Sequence, residues 1–310
     1  MIDIVTLTMN PAVDLSTTVD RVMPERKLRC EGLQRDPGGG GINVARVVRR
    51  MGTEVTAVYT AGGTTGRLLQ TLVEREGIQG VVLQIAAETR EDFTVQEAAT
   101  GQQYRFVLAG PRISETEWQA ALDALAALEP FPRYLVASGS LPPGAPDDFY
   151  RRIARLAHER RAKLILDTSG QPLKEALAEG VFLIKPNLNE LSALNGATTD
   201  LKDDWAKVCR RVIEQAQAEV VALTLGDQGA LLVTTEHSWR APALPIKPVS
   251  AVGAGDSFLG AMVWSLAAGH ALDKAFRYGM AAGSAALLTP GTELCRPDDV
   301  KRLYSEVVLQ

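Results

Sequence analysis

Short apolar runs alternate with longer amphipathic stretches along most of the chain, and this alternation restricts its fold more than any other feature. Six runs have the length and composition of strands buried on both faces: IDIVTL, EVTAVYTA, YLVASGS, KLILDTS, VFLIKPN and VVALTLG. The stretches between them, among them 114–128, 146–161 and 200–216, have helical spacing, and 256–288 is typical of two closely packed helices. Repeated βα units predict an α/β fold with a doubly wound, mostly parallel sheet.

Two segments, at about 12–36 and 88–110, depart from this pattern. Their apolar residues alternate with period two, as at Phe93 and Val95, which is typical of strands with one exposed face. We expect these segments to pair as a small antiparallel β lid over the main sheet. Both would be insertions in a single domain that spans 1–310.

Polar turns follow four of the predicted strands. They are SGS at 138–140, DTSG at 167–170, KPN at 185–187 and GDQG at 226–229. In open parallel sheets, ligands bind in the crevice at the carboxyl ends of the strands. The turns therefore predict a binding site at that edge.

Composition excludes several classes of function. The net charge is −4, and positive and negative residues are interspersed along the chain, so no nucleic-acid or anionic-membrane partner is expected. The first residues read as a strand and not as a signal peptide, and no apolar run reaches the ~18–20 residues of a membrane span. Cys30, Cys209 and Cys295 are far apart and form no C-x-x-C, which favours a reduced, cytoplasmic protein.

A run of four glycines precedes the helical pattern in PGGGGINVARVVRRMG, residues 37–52. The apolar spacing predicts a helix from near Ile42 to Gly52. Three arginines fall on another face of this helix: Arg46, Arg49 and Arg50. Glycines at a helix start leave backbone N–H groups open to an anion or a polyol, although a flexible loop is the alternative. The spacing matches neither a dinucleotide-binding G-x-G-x-x-G nor a P-loop, so a Rossmann dehydrogenase is disfavoured.

A second glycine segment, AVGAGDS, places Asp256 at the start of an apolar helix. Its amides, at Gly253, Ala254 and Gly255, can converge on a negatively charged group. Asp256 can then act as a base that takes a proton from a hydroxyl group. It can equally be a plain helix N-cap, and the segment alone does not decide between these readings.

The two glycine segments together resemble those of the ribokinase-like (PfkB) sugar kinases. Further motifs follow in the order found in that family: NPAVD, KLRC, TR at 89–90, SGSLPPG, DTSG, KPNLNE and LGDQGA. The resemblance covers the whole chain, and KLRC, GGGGINVAR and GQQYRF look most like the minor bacterial 6-phosphofructokinases. It implies ATP-dependent phosphorylation of fructose 6-phosphate at its 1-hydroxyl, to give fructose 1,6-bisphosphate.

The resemblance also implies residue roles. Asp256 would be the base, and Gly253, Ala254 and Gly255 would form the anion hole. The residues at the phosphosugar would be Asp14, Lys27, Arg29, Gly39, Gly40, Asn43, Arg90, Arg105 and Ser140. Four of these are basic, as a sugar that already carries a phosphate requires.

On the nucleotide side, the resemblance implies ATP and Mg²⁺. The residues at ATP would be Lys185, Asn187, Thr224, Gly226, Gly229, Met280 and Ser284. Glu190 would hold Mg²⁺ through water, as hard oxygen ligands do. A K⁺ ion would be bound by the backbone around Ser250, Val252, Ala286 and Gly291.

Some departures and alternatives stay open. Ala251 stands where the family usually has threonine, and Asp92 stands where these phosphofructokinases have asparagine. A carboxylate at 92 would repel a phosphate if it faced inward. A kinase for fructose 1-phosphate or tagatose 6-phosphate is the alternative substrate reading, and a non-catalytic sugar-phosphate sensor is the alternative from another class. Apolar lid surface predicts a homodimer formed through the lid.

Overall fold

The protein is described by a computed structural model that covers residues 3–194, 205–215 and 217–310. Its strands, in chain order, are β1 (Ile4–Thr8), β2 (Ala12–Val19), β3 (Glu31–Gly38), β4 (Thr56–Ala61), β5 (Gln79–Gln84), β6 (Arg90–Glu97), β7 (Gln103–Phe106), β8 (Tyr134–Ser138), β9 (Lys163–Asp167), β10 (Val181–Ile184), β11 (Ala218–Thr224), β12 (Ala230–Val233) and β13 (Ser238–Ala241). Its helices are α1 (Gly40–Arg50), α2 (Gly63–Arg75), α3 (Glu115–Ala126), α4 (Phe149–Glu159), α5 (Gly170–Leu177), α6 (Leu188–Leu194), α7 (Trp205–Glu214), α8 (Ala254–Ala267), α9 (Leu272–Ala286) and α10 (Pro297–Tyr304).

The six predicted apolar runs all form strands of one nine-stranded sheet, in the order β13-β12-β11-β10-β9-β8-β1-β4-β5. Every residue of β1, β4, β8 and β10 is buried, because helices cover both faces of the sheet. The pairs are parallel except where β12 and β13 extend one edge as an antiparallel hairpin. The predicted doubly wound, mostly parallel sheet is confirmed. The strands β5, β12 and β13 are not among the predicted runs. β5 and β13 lie at the two edges of the sheet and are largely exposed or half-buried, so neither has the continuous apolar run that predicts an inner strand.

The predicted helices agree with the structure to within a few residues. The segments 114–128 and 146–161 correspond to α3 and α4, and α1 begins two residues earlier than its apolar spacing predicts. Part of the predicted helix 200–216 is α7, whereas residues 200–204 and 216 lie outside the described part of the chain.

Helices α8 and α9 form the expected closely packed pair, and α8 also packs on α1. Glycines allow this approach: a Cβ at Gly260 would lie 2.7 Å from Val47, and one at Gly279 would lie 2.7 Å from Met262. Close packing of small residues fills the core at the density typical of protein interiors. Across the described residues, no helix combines the length and the apolar character needed to cross a bilayer.

The two period-two segments form a separate four-stranded sheet, the lid, in the order β3-β2-β6-β7. The pairs β2–β3 and β6–β7 are antiparallel, as expected, but β2 and β6 pair in parallel. The chain passes through α1, β4, α2 and β5 between those two strands, and a connection of that length is what a parallel pair requires. The lid is anchored to the main sheet where the Asn10 side chain donates to the Ala109 carbonyl (3.0 Å) and to Ser140 Oγ (3.2 Å).

Candidate active site

A cleft of about 360 Å³ lies between the lid and the carboxyl ends of β8 and β9. It brings together the following predicted residues: Asp14, Gly39, Gly40, Asn43, Arg90, Arg105, Ser140, Glu190, Val252, Gly253, Gly255 and Asp256. It also contains Asp92, Val107, Ser138, Gly139, Asp167, Thr168 and Ser169. The two glycine segments, which are more than 200 positions apart in the sequence, face each other across this cleft.

The first glycine run is needed because side chains press against its backbone. A Cβ at Gly38 would overlap the Asp14 carboxylate, and one at Gly40 would overlap Ser138 Oγ. Gly39 has a φ of 108°, a conformation that residues with a side chain rarely adopt. The run therefore holds the start of α1 close to β2 and β8, with backbone amides on the cleft.

Asp256 is not the N-cap of α8, so that alternative reading of the sequence is wrong. Gly253 is the N-cap, with a φ of 74°, and no side chain caps the helix. Asp256 lies in the first turn, where its Oδ2 accepts a hydrogen bond from Asn43 Nδ2 (2.8 Å). The carboxylate thus points into the cleft beside the amides of the helix N-terminus.

The surroundings of Asp256 raise its pKa towards neutral pH. Burial, and then the negative charge of Asp167, raise the pKa of Asp256 to about 6, against the lowering effects of Asn43, Lys185 and Arg105. Lys185 pairs with one of the two carboxylates, with its Nζ 3.2 Å from Asp167 Oδ1, and its charge also acts on Asp256. Burial alone would lower the pKa of Lys185, but Asp167, Asp256 and Glu190 together raise it. Lys185 therefore stays protonated in the site.

The lid contributes a row of three aspartates above the cleft. Asp36, Asp14 and Asp92 occupy paired positions on β3, β2 and β6, so all three side chains lie on the same face of the lid. Burial, and then Asp92, raise the pKa of Asp14 to about 7, while Arg46 and Arg105 lower it. Asp14 therefore titrates in the physiological range.

Asp92 lines the cleft, but it does not face it unpaired. Its carboxylate lies 3.1 Å from Arg90 Nη1 and accepts a hydrogen bond from the Leu108 N–H (2.9 Å). Arg90 also donates to the Asn10 carbonyl (2.9 Å) and to the Leu108 carbonyl (2.6 Å). Asp92 thus neutralises part of the Arg90 charge. Of the two arginines that line the cleft, Arg105 is therefore the one whose charge is less compensated by carboxylates.

The structure separates the four predicted lid cations into two groups. Arg90 and Arg105 line the cleft, whereas Lys27 and Arg29 are exposed in the loop between β2 and β3 and are not among its lining residues. Basic residues near the lid in sequence therefore do not all line the cleft in this single chain.

The predicted nucleotide residues are not among those that line the cleft, whereas the predicted magnesium residue Glu190 is. Asn187 and Glu190 cap α6 reciprocally: Asn187 Oδ1 accepts from the Glu190 N–H (3.0 Å), and Glu190 Oε2 accepts from the Asn187 N–H (2.8 Å). Thr224 forms a parallel bridge with Asn187 at the end of β11. Other predicted residues do not line the cleft: Gly226 and Gly229 flank a 3₁₀ turn, and Met280 and Ser284 are buried on α9.

The predicted potassium residues form a hydrogen-bonded loop cluster. Ser250 Oγ donates to the Gly291 carbonyl (3.3 Å) and accepts from the Val252 N–H (3.2 Å). The Ala286 carbonyl already accepts from both the N–H (3.2 Å) and the hydroxyl (2.9 Å) of Thr289. Ala286 therefore fits a cation less well than the other three residues.

Two charged residues in or beside the site, Asp167 and Arg46, have no role assigned from the sequence. Asp167 lies in the recognised DTSG turn, so its place at a strand end is the available signal. The sequence pattern places Arg46 with Arg49 and Arg50 on a face away from the apolar one, but its side chain is completely buried. The pattern of α1 carries no signal of this burial, because the groups that enclose the guanidinium come from β3, the end of α2 and the loop before α10.

Comparisons with known proteins identify the family. The family model for the pfkB family of carbohydrate kinases matches residues 2–299. The chain is 46% identical over 301 residues to ATP-dependent 6-phosphofructokinase isozyme 2 of Mycobacterium tuberculosis (strain ATCC 25618 / H37Rv), covering 97% of this chain and 88% of that protein. It is 40% identical over 306 residues to the enzyme of the same name from Escherichia coli (strain K12), covering 98% and 99%.

The solved structures agree with the sequence relatives. Phosphofructokinase-2 from Escherichia coli, in complex with potassium, superposes with a TM-score of 0.94 at 39% identity and covers 99% of each chain. The chain belongs to the pfkB family of carbohydrate kinases, which transfer a phosphoryl group to a sugar hydroxyl.

Proposed function

We propose that this protein is an ATP-dependent 6-phosphofructokinase that phosphorylates the 1-hydroxyl of fructose 6-phosphate. The observation that carries the proposal is the cleft itself: a carboxylate, Asp256, lies beside helix amides and opposite two lid cations. The names of the relatives at 46% and 40% identity supply the substrate. A non-catalytic sensor would have no use for Asp256 and Lys185 together.

The proposed chemistry needs positioning, charge stabilisation and one base. Asp256 takes the proton of the 1-hydroxyl as its oxygen forms a bond to the γ-phosphorus of ATP, and the bond from that phosphorus to the bridging oxygen of ADP breaks. The amides of Gly253, Ala254 and Gly255 hold the charge of the transferred group. Asp14 accepts hydrogen bonds from the sugar hydroxyls, helped by Gly39, Gly40 and Asn43.

Further residues complete the substrate sites in this proposal. Arg90, Arg105 and Ser140 hold the phosphosugar on the lid side, and Lys27 and Arg29 extend the positive charge outside the cleft. Lys185 and Asn187 meet the nucleotide phosphates. The proposed nucleotide pocket is completed by Thr224, Gly226, Gly229, Met280 and Ser284.

The oxygen atoms available at each proposed metal site can be compared with the ligands that the ion prefers. Glu190 fits Mg²⁺, since one carboxylate oxygen stays available after the cap to Asn187, and hard oxygen ligands with water suit this ion. A Mg²⁺ ion held by Glu190 would neutralise charge on the nucleotide phosphates. Backbone around Ser250, Val252 and Gly291 is the proposed K⁺ site, with Ala286 as its weakest member.

The same proposal treats residues 1–310 as one kinase domain with the lid strands inserted into it. Closure of the lid on the sugar would exclude water and limit hydrolysis of ATP. Cys30, Cys209 and Cys295 are free thiols, which fits a cytoplasmic enzyme.

A comparison of three sugars tests the substrate. We expect kcat/KM for fructose 6-phosphate to exceed that for fructose 1-phosphate and for tagatose 6-phosphate by about tenfold or more, a difference that one well-placed polar contact can supply. Release of ADP is measured with each sugar at fixed ATP and Mg²⁺. Faster turnover of either competing sugar would replace the substrate, and turnover of none would exclude a kinase for these sugars.

We further propose that two copies pair through their lids. Outside the cleft, the lid exposes five large apolar side chains: Met23, Leu33, Phe93, Phe106 and Leu108. Phe93 and Phe106 are directly opposite on β6 and β7 and are 42% and 56% exposed, respectively. Contiguous exposed apolar surface of this kind usually marks an interface.

The Phe106→Asp variant tests this interface. A charge placed in an apolar contact should convert the dimer to a monomer at micromolar concentration, as measured by sedimentation velocity. Val308→Asp is the matched control, because Val308 is 65% exposed but lies near the C-terminus. A monomeric wild-type protein would refute the proposal; a larger assembly is also distinguishable, as one Escherichia coli phosphofructokinase-2 structure is described as a tetrameric inhibited form.

A further inference from the structure

Arg46 is an unusual residue, because a charged side chain with no solvent exposure lies in the middle of α1. Burial of a guanidinium group is costly unless its N–H groups are all satisfied. Its Nε donates to Glu76 Oε1 (2.8 Å), and its Nη2 donates to Asp36 Oδ1 (3.3 Å). Two carboxylates from β3 and the end of α2 therefore compensate the charge.

The remaining nitrogen, Nη1, connects Arg46 to the cleft. It donates to Asn43 Oδ1 (3.2 Å), to the Pro37 carbonyl (3.2 Å) and to the Thr292 carbonyl (3.1 Å). The other end of the Asn43 amide donates to Asp256 Oδ2 (2.8 Å). Arg46, Asn43 and Asp256 thus form a continuous chain of hydrogen bonds.

This chain determines which way the Asn43 amide points. A guanidinium group has only donors, so it accepts no hydrogen bond from the amide NH₂ group. With Arg46 on one side and a carboxylate on the other, only one orientation satisfies both partners. The NH₂ group must face Asp256.

We propose that Arg46 is a positioning residue for the base: it holds the Asn43 amide so that Asp256 Oδ2 is tied down and Oδ1 faces the acceptor hydroxyl. The inference rests on the proposed function in assigning Asp256 as the base. The contacts with Asp36 and Glu76 keep the guanidinium plane fixed, and Asp36 also accepts from the Thr292 hydroxyl (3.0 Å). Arg46 touches neither substrate in this arrangement and acts through Asn43.

The test compares the unmodified protein, which is the reference, with Arg46→Met/Asp36→Asn/Glu76→Gln; this combined substitution is called the Arg46→Met change below. The arginine and both carboxylates are neutralised together, because either side left alone would be a buried charge without compensation. We expect the Arg46→Met change to lower kcat by about tenfold to 100-fold, the loss of a hydrogen bond to a charged group. The lower of the two acidic pKa values in the profile of kcat/KM, that of Asp256, should rise, because the Asn43 bond lowers it. The upper one, that of Asp14, responds directly to the charge of Arg46 and does not test the positioning role.

A double-mutant cycle with Asn43→Ala separates positioning from general damage. If Arg46 acts through Asn43, the Arg46→Met change has no further effect on kcat at pH 8 or on the lower acidic pKa, that of Asp256, once residue 43 is alanine. An undiminished effect in the Asn43→Ala background, or an unchanged lower acidic pKa where Asn43 is retained, would overturn the proposal.

A second readout does not depend on turnover. The pKa of Asp256, followed by ¹³C NMR of labelled carboxyl groups, should be higher in the Arg46→Met protein than in its reference. An unchanged value would refute the positioning role. Failure of the proposed function would look different: the unmodified protein would phosphorylate none of the three sugars, while this NMR shift would remain.

Discussion

The Asp256→Asn variant is expected to lose kcat by a factor on the order of 10²–10⁴ while retaining its affinity for ATP. Asparagine keeps the shape of the side chain and can still accept the Asn43 hydrogen bond, but it cannot take a proton from the hydroxyl. The rate is measured as ADP release at saturating sugar, and nucleotide affinity by titration calorimetry. Asp147→Asn, at an exposed position, is the matched control.

The stability of this variant should change in the opposite direction to its activity. The pKa of Asp256 is raised from 3.8 to about 6, so the folded protein carries an unfavourable charge above pH 6. Removing that charge should raise the free energy of unfolding at pH 8, by an amount on the order of 1–3 kcal/mol. The difference in the free energy of unfolding between the variant and the wild type should decrease to zero as the pH falls from about 6 towards 4. An Asp256→Asn protein with at least a third of wild-type kcat would refute the base, and Asp167, although paired with Lys185, would be the next carboxylate to test.

The second large effect is a loss of kcat/KM in mild acid. Asp14 and Asp256 must both be ionised in the proposed chemistry, and burial raises their pKa values to about 7 and about 6. The logarithm of kcat/KM should therefore fall by about one unit per pH unit between pH 7 and 6, and by about two units per pH unit below pH 6. At pH 5 the loss relative to the plateau should be on the order of 10³.

Two controls make this pH profile interpretable. The sugar phosphate itself titrates near pKa 6, so the sugar concentration is expressed as its dianion. Circular dichroism at each pH excludes unfolding, and we expect none, because the raised pKa values of these two carboxyl groups favour the folded state as the pH falls. The Asp14→Asn variant should keep only the one-proton loss near pH 6. A one-proton profile in the wild type would contradict the assignment.

Much of the architecture was predictable because it depends on local periodicity. The six apolar runs became strands, and the polar turns after them became one edge of a cleft, since the carboxyl ends of parallel strands must meet. The lid was predictable for the same reason, as period two separates an exposed face from a covered one. The parallel β2–β6 pair was not, because two strands separated by more than 70 positions carry no local record of their relative direction.

The site was predictable only in part. Glycine motifs identified both walls, because a backbone that must approach another group leaves a visible trace in the sequence. Side-chain partnerships left no such trace. Asn43 contacts a residue 213 positions away, and the sequence alone left Asp256 open as either a cap or a base.

The sequence by itself determined the fold class, the edge of the sheet at which the cleft lies and the family of the chain. Only the tertiary structure decided that Arg46 is buried and that Lys27 and Arg29 lie outside the cleft. It also decided that the pKa values of Asp14 and Asp256 are raised towards neutral pH. The physical reason is that periodicity reports which face of an element is covered, but not by what. Burial, hydrogen bonding and pKa depend on which groups from distant parts of the chain do the covering.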